Sequence, residues 1–121
     1  MAGDYISADE RELCRKVAEA FEGAFVEEDT LVLDAGRFGF VKLRYYKLPG
    51  GFESVKTFRS GEAMFRDLWD EWVCQQILEY ASGTPLVELE YAEIFRCIPE
   101  EIKESYGLKK QEFMSKAGCS F

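Results

Sequence analysis

Between Ser7 and Gly23 apolar side chains recur every three to four positions. Leu13, Val17, Ala20 and Phe21 fall on one stripe with Cys14 at its edge, while Arg11, Glu12, Arg15, Glu19 and Glu22 cover the opposite side. Ser7 followed three residues later by Glu10 has the form of a capping box, and Gly23 supplies a stop, so the spacing predicts an amphipathic helix. From 24 to 58 the period drops to two. Short alternating runs at 24–28 and 31–34, parted by Asp29-Thr30, precede the interruption Gly36-Arg37-Phe38-Gly39. Longer runs follow at 40–47 and 52–58, joined through Leu48-Pro49-Gly50-Gly51. The pattern predicts a four-stranded antiparallel meander, with Val41, Leu43 and Tyr45 toward the core and Phe40, Lys42, Arg44 and Tyr46 away from it. Lys56 is expected on the Leu43 face, because a bulged loop would set it opposite Lys42, a repulsive pair.

Ser60 is placed to cap a second helix running through Ala81 and ending at Gly83. Phe65, Leu68, Trp69, Trp72, Val73 and Ile77 form its apolar stripe, with Asp67, Asp70, Glu71 and Cys74 behind it. Gln76 interrupts the apolar arc, and a buried amide needs hydrogen-bond partners or an opening. Together with Trp72 and Tyr45 it marks the expected position of a ligand pocket between sheet and helix. Thr84-Pro85 opens a third helix carrying Val87, Tyr91, Ile94, Phe95 and Ile98, which Pro99 halts. A short acidic helix at 99–106 closed by Gly107, a weaker one at 110–117 and a frayed tail at 118–121 complete the chain.

These elements predict a single α+β domain over 1–121, in the order α-β-β-β-β-α-α-α. The N-terminal helix and the Trp-rich helix pack on the four-stranded sheet, and short C-terminal helices close one end. The length of 121 residues fits one domain, and 47% hydrophobic with 15% aromatic residues suffice for a core.

Composition narrows the chemistry. The chain has no histidine, so it lacks the commonest general base and the commonest metal ligand. Cys14, Cys74, Cys97 and Cys119 form no CxxC pair, and the first ten residues have neither the basic nor the apolar region of a secretory leader. The expectation is a cytoplasmic, bacterial-type protein with reduced thiols, Cys14 in the core and Cys119 the most exposed. No metal, cofactor or membrane span is expected. The acidic groups Glu27-Glu28-Asp29, Asp67/Asp70/Glu71, Glu88/Glu90 and Glu100/Glu101/Glu104 read as solvated faces rather than catalytic pairs.

Two features point to partners. Ile102 through Leu108, followed by Phe113, has the apolar, glycine, apolar spacing of a helix-turn-helix hairpin, with Lys109, Lys110 and Lys116 on the second helix. Its acidic first helix would repel phosphate, so nucleic acid is the disfavoured partner. Charge partition carries more. The net −8 comprises ten acidic against three basic residues in 1–34, one against six in 35–59, and twelve against six in 60–121. The basic excess therefore sits in the sheet, interleaved with aromatics. Either the acidic helices cover it, giving internal complementarity, or it is open for recognition. The functional expectation takes the second arrangement: a non-enzymatic domain that binds a protein partner or a second copy of itself through Lys42, Arg44, Tyr46 and Arg59. The alternatives are a small-ligand or enzymatic pocket at Gln76, Trp72 and Tyr45, and DNA binding by the C-terminal hairpin.

Overall fold

The computed structural model describes residues 5–25, 30–46 and 50–119, with Tyr46 by its backbone. In chain order the described elements are α1 (Ala8–Ala20), β1 (Thr30–Asp34), β2 (Phe40–Tyr46), β3 (Gly51–Phe58), α2 (Gly61–Ala81), α3 (Tyr91–Cys97) and α4 (Glu100–Ala117). Short 3-10 turns occupy Gly36–Phe38 and Pro85–Glu88.

The described sheet has three antiparallel strands in the order β1-β2-β3, not the four expected. The missing strand is the one predicted at 24–28. There the Ala24 backbone N–H already donates to the Phe21 carbonyl in the turn that ends α1, and Phe25 stacks on Phe21 with ring centroids 6.1 Å apart. The remainder of that run, 26–28, and Asp29 of the expected turn lie outside the described residues.

Strand parity is also the reverse of the expectation. Phe40 pairs with Phe58 across β2 and β3 and both are buried, so the Phe40, Lys42 and Arg44 side of β2 faces the helices. Val41, Leu43 and Tyr45 occupy the other side. Lys56 stands opposite Lys42, because a β-bulge between the Lys42/Leu43 positions shifts the register and leaves Val55 without its own partner. The expected placement of Lys56 on the Leu43 face is thereby overturned.

Helices supply most of the core. Cys14, Val17 and Phe21 from the α1 region meet Met64, Phe65, Leu68 and Trp72 of α2 and Phe113, Met114 and Ala117 of α4, with Phe40 and Phe58 closing the sheet side. Phe21 stacks on Phe113 at 4.2 Å and meets Phe65 edge-on at 5.4 Å, arrangements that add to the burial of each ring. A second, smaller cluster of Ile77, Ala81, Ile94 and Ile98 joins α3 to the C-terminal part of α2.

The start of α1 is locked to the start of α2. Ser7 Oγ accepts from the Glu10 backbone N–H at 3.1 Å, which is half of the expected capping box. The Glu10 carboxylate instead accepts from the Gly61 backbone N–H at 2.7 Å, at a helix N-terminus that favours negative charge. Gly61 makes this approach feasible: a Cβ there would lie 2.3 Å from Leu13 Cγ. On the other flank, Arg11 binds Asp34 at 2.8 Å and ties α1 to β1. The Arg11 guanidinium, with a backbone hydrogen bond from Gly36, holds the Asp34 carboxyl below its usual range.

The C-terminal third differs from the expectation in two ways. The segment predicted as one helix from Pro85 is a 3-10 turn and then α3, separated by Leu89 and Glu90 in extended backbone. The two helices predicted at 99–106 and 110–117 are one helix, α4, with Gly107 in its interior. A mid-helix glycine costs about 1 kcal/mol. Packing on both sides offsets it, since Tyr106 meets Trp72 edge-on at 5.6 Å and Phe113 meets it at 5.8 Å. The helix-turn-helix hairpin is therefore absent from this segment.

Candidate functional site

The two faces of the sheet carry opposite chemistry. On the inner face Lys42 is 6% exposed, and its Nζ lies 2.6 Å from Asp67 Oδ1 and 3.4 Å from Glu71 Oε2. Lys56 Nζ reaches the second Asp67 oxygen at 3.2 Å, and Arg44 pairs with Glu71. The cations and carboxylates alternate as Lys56, Asp67, Lys42, Glu71, Arg44. Asp67 and Glu71 are four residues apart on α2 and therefore project from the same side of it, toward alternate residues of β2. Asp67 bridges the two opposed lysines, which supplies the attraction that a Lys42–Lys56 pair alone lacks. The Asp67 and Glu71 side chains are 17% and 11% exposed, so the reading of Asp67/Asp70/Glu71 as a solvated face is corrected for these two, whereas Asp70 is exposed.

Of the four residues expected to contact a partner, Lys42 and Arg44 are thus brought together beneath α2. Tyr46 ends β2, and Arg59 is exposed just beyond β3 at the opposite, Phe40–Phe58 end of the sheet. Of the pocket residues, Gln76 is half-buried on α2. Trp72 is 7% exposed and enclosed by Trp69, Tyr106 and Phe113. Tyr45 is on the far side of the sheet, against Phe52 at 5.2 Å. The three do not converge on a cavity.

The outer face of the sheet is apolar and uncharged. Leu31 and Leu33 of β1 stand opposite Leu43 and Val41 of β2, and Tyr45 stands opposite Phe52 of β3. Ser54 and Thr57 pair with Leu43 and Val41 on the other flank. No described position on this face bears a charge. Leu31, Leu33, Tyr45 and Phe52 are 40 to 54% exposed, although large apolar side chains side by side are normally covered. The alternation along β2 predicts Val41, Leu43 and Tyr45 in the core, and nothing local singles out Leu31, Leu33 and Phe52 as their neighbours on an open face. The available signal was Asp67 and Glu71 at helical spacing beside a strand with Lys42 and Arg44 at strand spacing: those two pairs match only if the basic side of β2 faces inward.

A second apolar surface lies at the C-terminal part of α2. The Pro85–Glu88 turn and the start of α3 cross the C-terminal part of α2 and leave a groove of about 560 Å³ lined by Leu78, Val87, Leu89, Tyr91, Ala92 and Ile94, with Glu90 at its edge. A third depression, about 500 Å³, lies between the end of α1 and β1 around Phe21, Phe25 and Val32.

The four cysteines are free thiols. Burial, with Glu10 adding to it, pushes the Cys14 thiol up to about 11; burial also raises Cys74, helped by Asp70 and Glu71, and Cys119. Cys97, not Cys119, is the exposed one. Raised thiol values disfavour the nucleophilic thiolate. Among the described residues no group of three or more Cys, Asp or Glu side chains is arranged to hold a metal ion, and no helix is long and apolar enough to cross a membrane. Comparisons with protein-family models, with curated proteins and with solved structures each give no significant match to this chain.

Proposed function

We propose that the protein is an interaction domain that assembles with a second copy of itself through the outer face of its sheet. The observation that carries this reading is the contiguous, charge-free apolar surface formed by Leu31, Leu33, Val41, Leu43, Tyr45 and Phe52 on a chain of net charge −8. A strongly charged partner would find nothing on it to pair with, whereas the same face on another copy is its chemical complement. Sheet faces of this kind pack about 10 Å apart with their strands aligned to within about 30°, and a two-fold axis makes such a contact self-complementary. Its four most exposed side chains offer on the order of 400 Å² per copy, the size of the functional patches found on monomers. With the partly exposed Val41 and Leu43 added, two copies would bury on the order of 1,000 Å², the lower limit for a specific interface, which fits a weak, transient dimer. The like net charge of the two copies acts at longer range and is screened beyond about 8 to 10 Å at ordinary ionic strength. Self-association therefore strengthens as salt is added.

Sedimentation velocity from low micromolar to several hundred micromolar protein tests this. The wild type is expected to move from monomer to dimer across the series, and Leu33→Glu to remain monomeric, with Arg59→Glu behaving as wild type. A wild type that stays monomeric at the top of the range, or an Arg59→Glu variant that dissociates while Leu33→Glu does not, rejects the proposal.

A further inference from the structure

The groove between α2 and α3 is separate from the sheet and has a different electrostatic setting. Leu78, Val87, Leu89 and Tyr91 are 40 to 53% exposed along it, although Ile94 at its base is buried. Its volume lies within the roughly 300 to 1,000 Å³ of ligand-binding cavities. Glu90 lines it, Glu88 and Glu93 are exposed next in sequence to residues that line it, and among the described residues none of the three takes part in an ion pair. From Gly83 to Phe95 the chain has no basic residue. The walls are two helices and a 3-10 turn, whose backbone hydrogen bonds close within themselves, so no strand edge is open to an extended peptide.

From this combination we infer that the groove binds a cationic amphipathic helix of another protein, with apolar side chains at i, i+3, i+4 and i+7 in the groove and Lys or Arg on its flanks facing Glu88, Glu90 and Glu93. A helix satisfies its own backbone and supplies apolar anchors at the spacing that a groove of this kind accepts. The acidic rim selects positive flanks and speeds encounter. A second copy of this chain is not the occupant, because its lysine-rich helix, α4, has its apolar residues Phe113, Met114 and Ala117 buried in its own core.

Fluorescence anisotropy of a labelled synthetic helix with Leu at those four positions and Lys elsewhere, titrated with the full chain, tests the inference. Micromolar binding is expected, at least about tenfold weaker for the same peptide with Glu in place of Lys, a factor equivalent to about 1.4 kcal/mol. Raised salt weakens it, opposite to the trend for self-association. The triple change Glu88→Lys, Glu90→Lys, Glu93→Lys is expected to weaken binding at least about tenfold, whereas Glu22→Lys, Asp70→Lys, Glu104→Lys, which alters overall charge equally, does not. Leu89→Ser lowers affinity with sedimentation unchanged. Equal losses from the two triple variants, retention of binding by the Glu88, Glu90, Glu93 variant, or a loss of self-association in Leu89→Ser overturns the inference.

Discussion

The inner and outer faces of the same three strands differ in what each makes of its surroundings. The inner face holds Lys42, Arg44 and Lys56 and is covered by α2; the outer face holds Leu31, Leu33, Val41, Leu43, Tyr45 and Phe52 and has no described element over it. An isolated single-layer sheet ordinarily does the opposite, turning its apolar set toward the core. Here the helix opposite decides. Two carboxylates one turn apart on α2 offer the strand cations partners, while Phe40 and Phe58 at the far end of the strands reach the apolar core. Burying charges costs several kcal/mol for each ion, and a chain of alternating signs recovers it only when every member has a partner. What α2 covers is therefore held in one register, and what it leaves uncovered is available for assembly.

The largest effect that can break this comparison is expected on the inner face. Lys42→Ala leaves Asp67 and Glu71 short of a cation under α2, and urea denaturation should show a loss on the order of 3 kcal/mol. Leu33→Ser, on the outer face, should change monomer stability by no more than about 0.5 kcal/mol. Equal losses would mean that the two faces are not distinguished as described. Next in size is the attachment of the helical layer itself: Gly61→Val drives a side chain into Leu13 and should cost about 1 to 3 kcal/mol, whereas Gly107→Ala, with open space around its Cβ, should not destabilise. The smallest effect is alkaline. Because the folded-state value of Cys14 is raised to about 11 from 9.0, its contribution is fully present below 9.0 and is lost as pH rises toward 11. A pH series of melting temperatures should show a steeper decline above pH 9.0 for the wild type than for Cys14→Ala, and parallel curves would refute the assignment.

Much of the architecture is legible in the sequence. The Ser7 and Ser60 caps, the extent of α2 and the two longer strands follow from local spacing, because capping and period are properties of neighbouring residues. The points that escaped are those decided by distant ones. Period-two alternation says which residues share a face but not which face is inside, and in β2 the answer came from Asp67 and Glu71, more than twenty residues away. The Val55 bulge changes the register of β3 without any glycine or proline to mark it. Gly107 signals a stop by local propensity, yet Trp72 and Phe21 hold Tyr106 and Phe113 on one continuous helix. The segregated basic charge was visible from composition; its meaning depended on which side of the strand α2 takes.

Side-chain methyl NMR during serial dilution is the most direct test of the account, because it locates the assembly face without substitution. On dilution the methyl signals of Leu31, Leu33, Val41 and Leu43 are expected to shift together while those of Ile77 and Ile98 in the helical core stay fixed. Concentration-independent spectra, or shifts confined to residues away from the outer face, would contradict it.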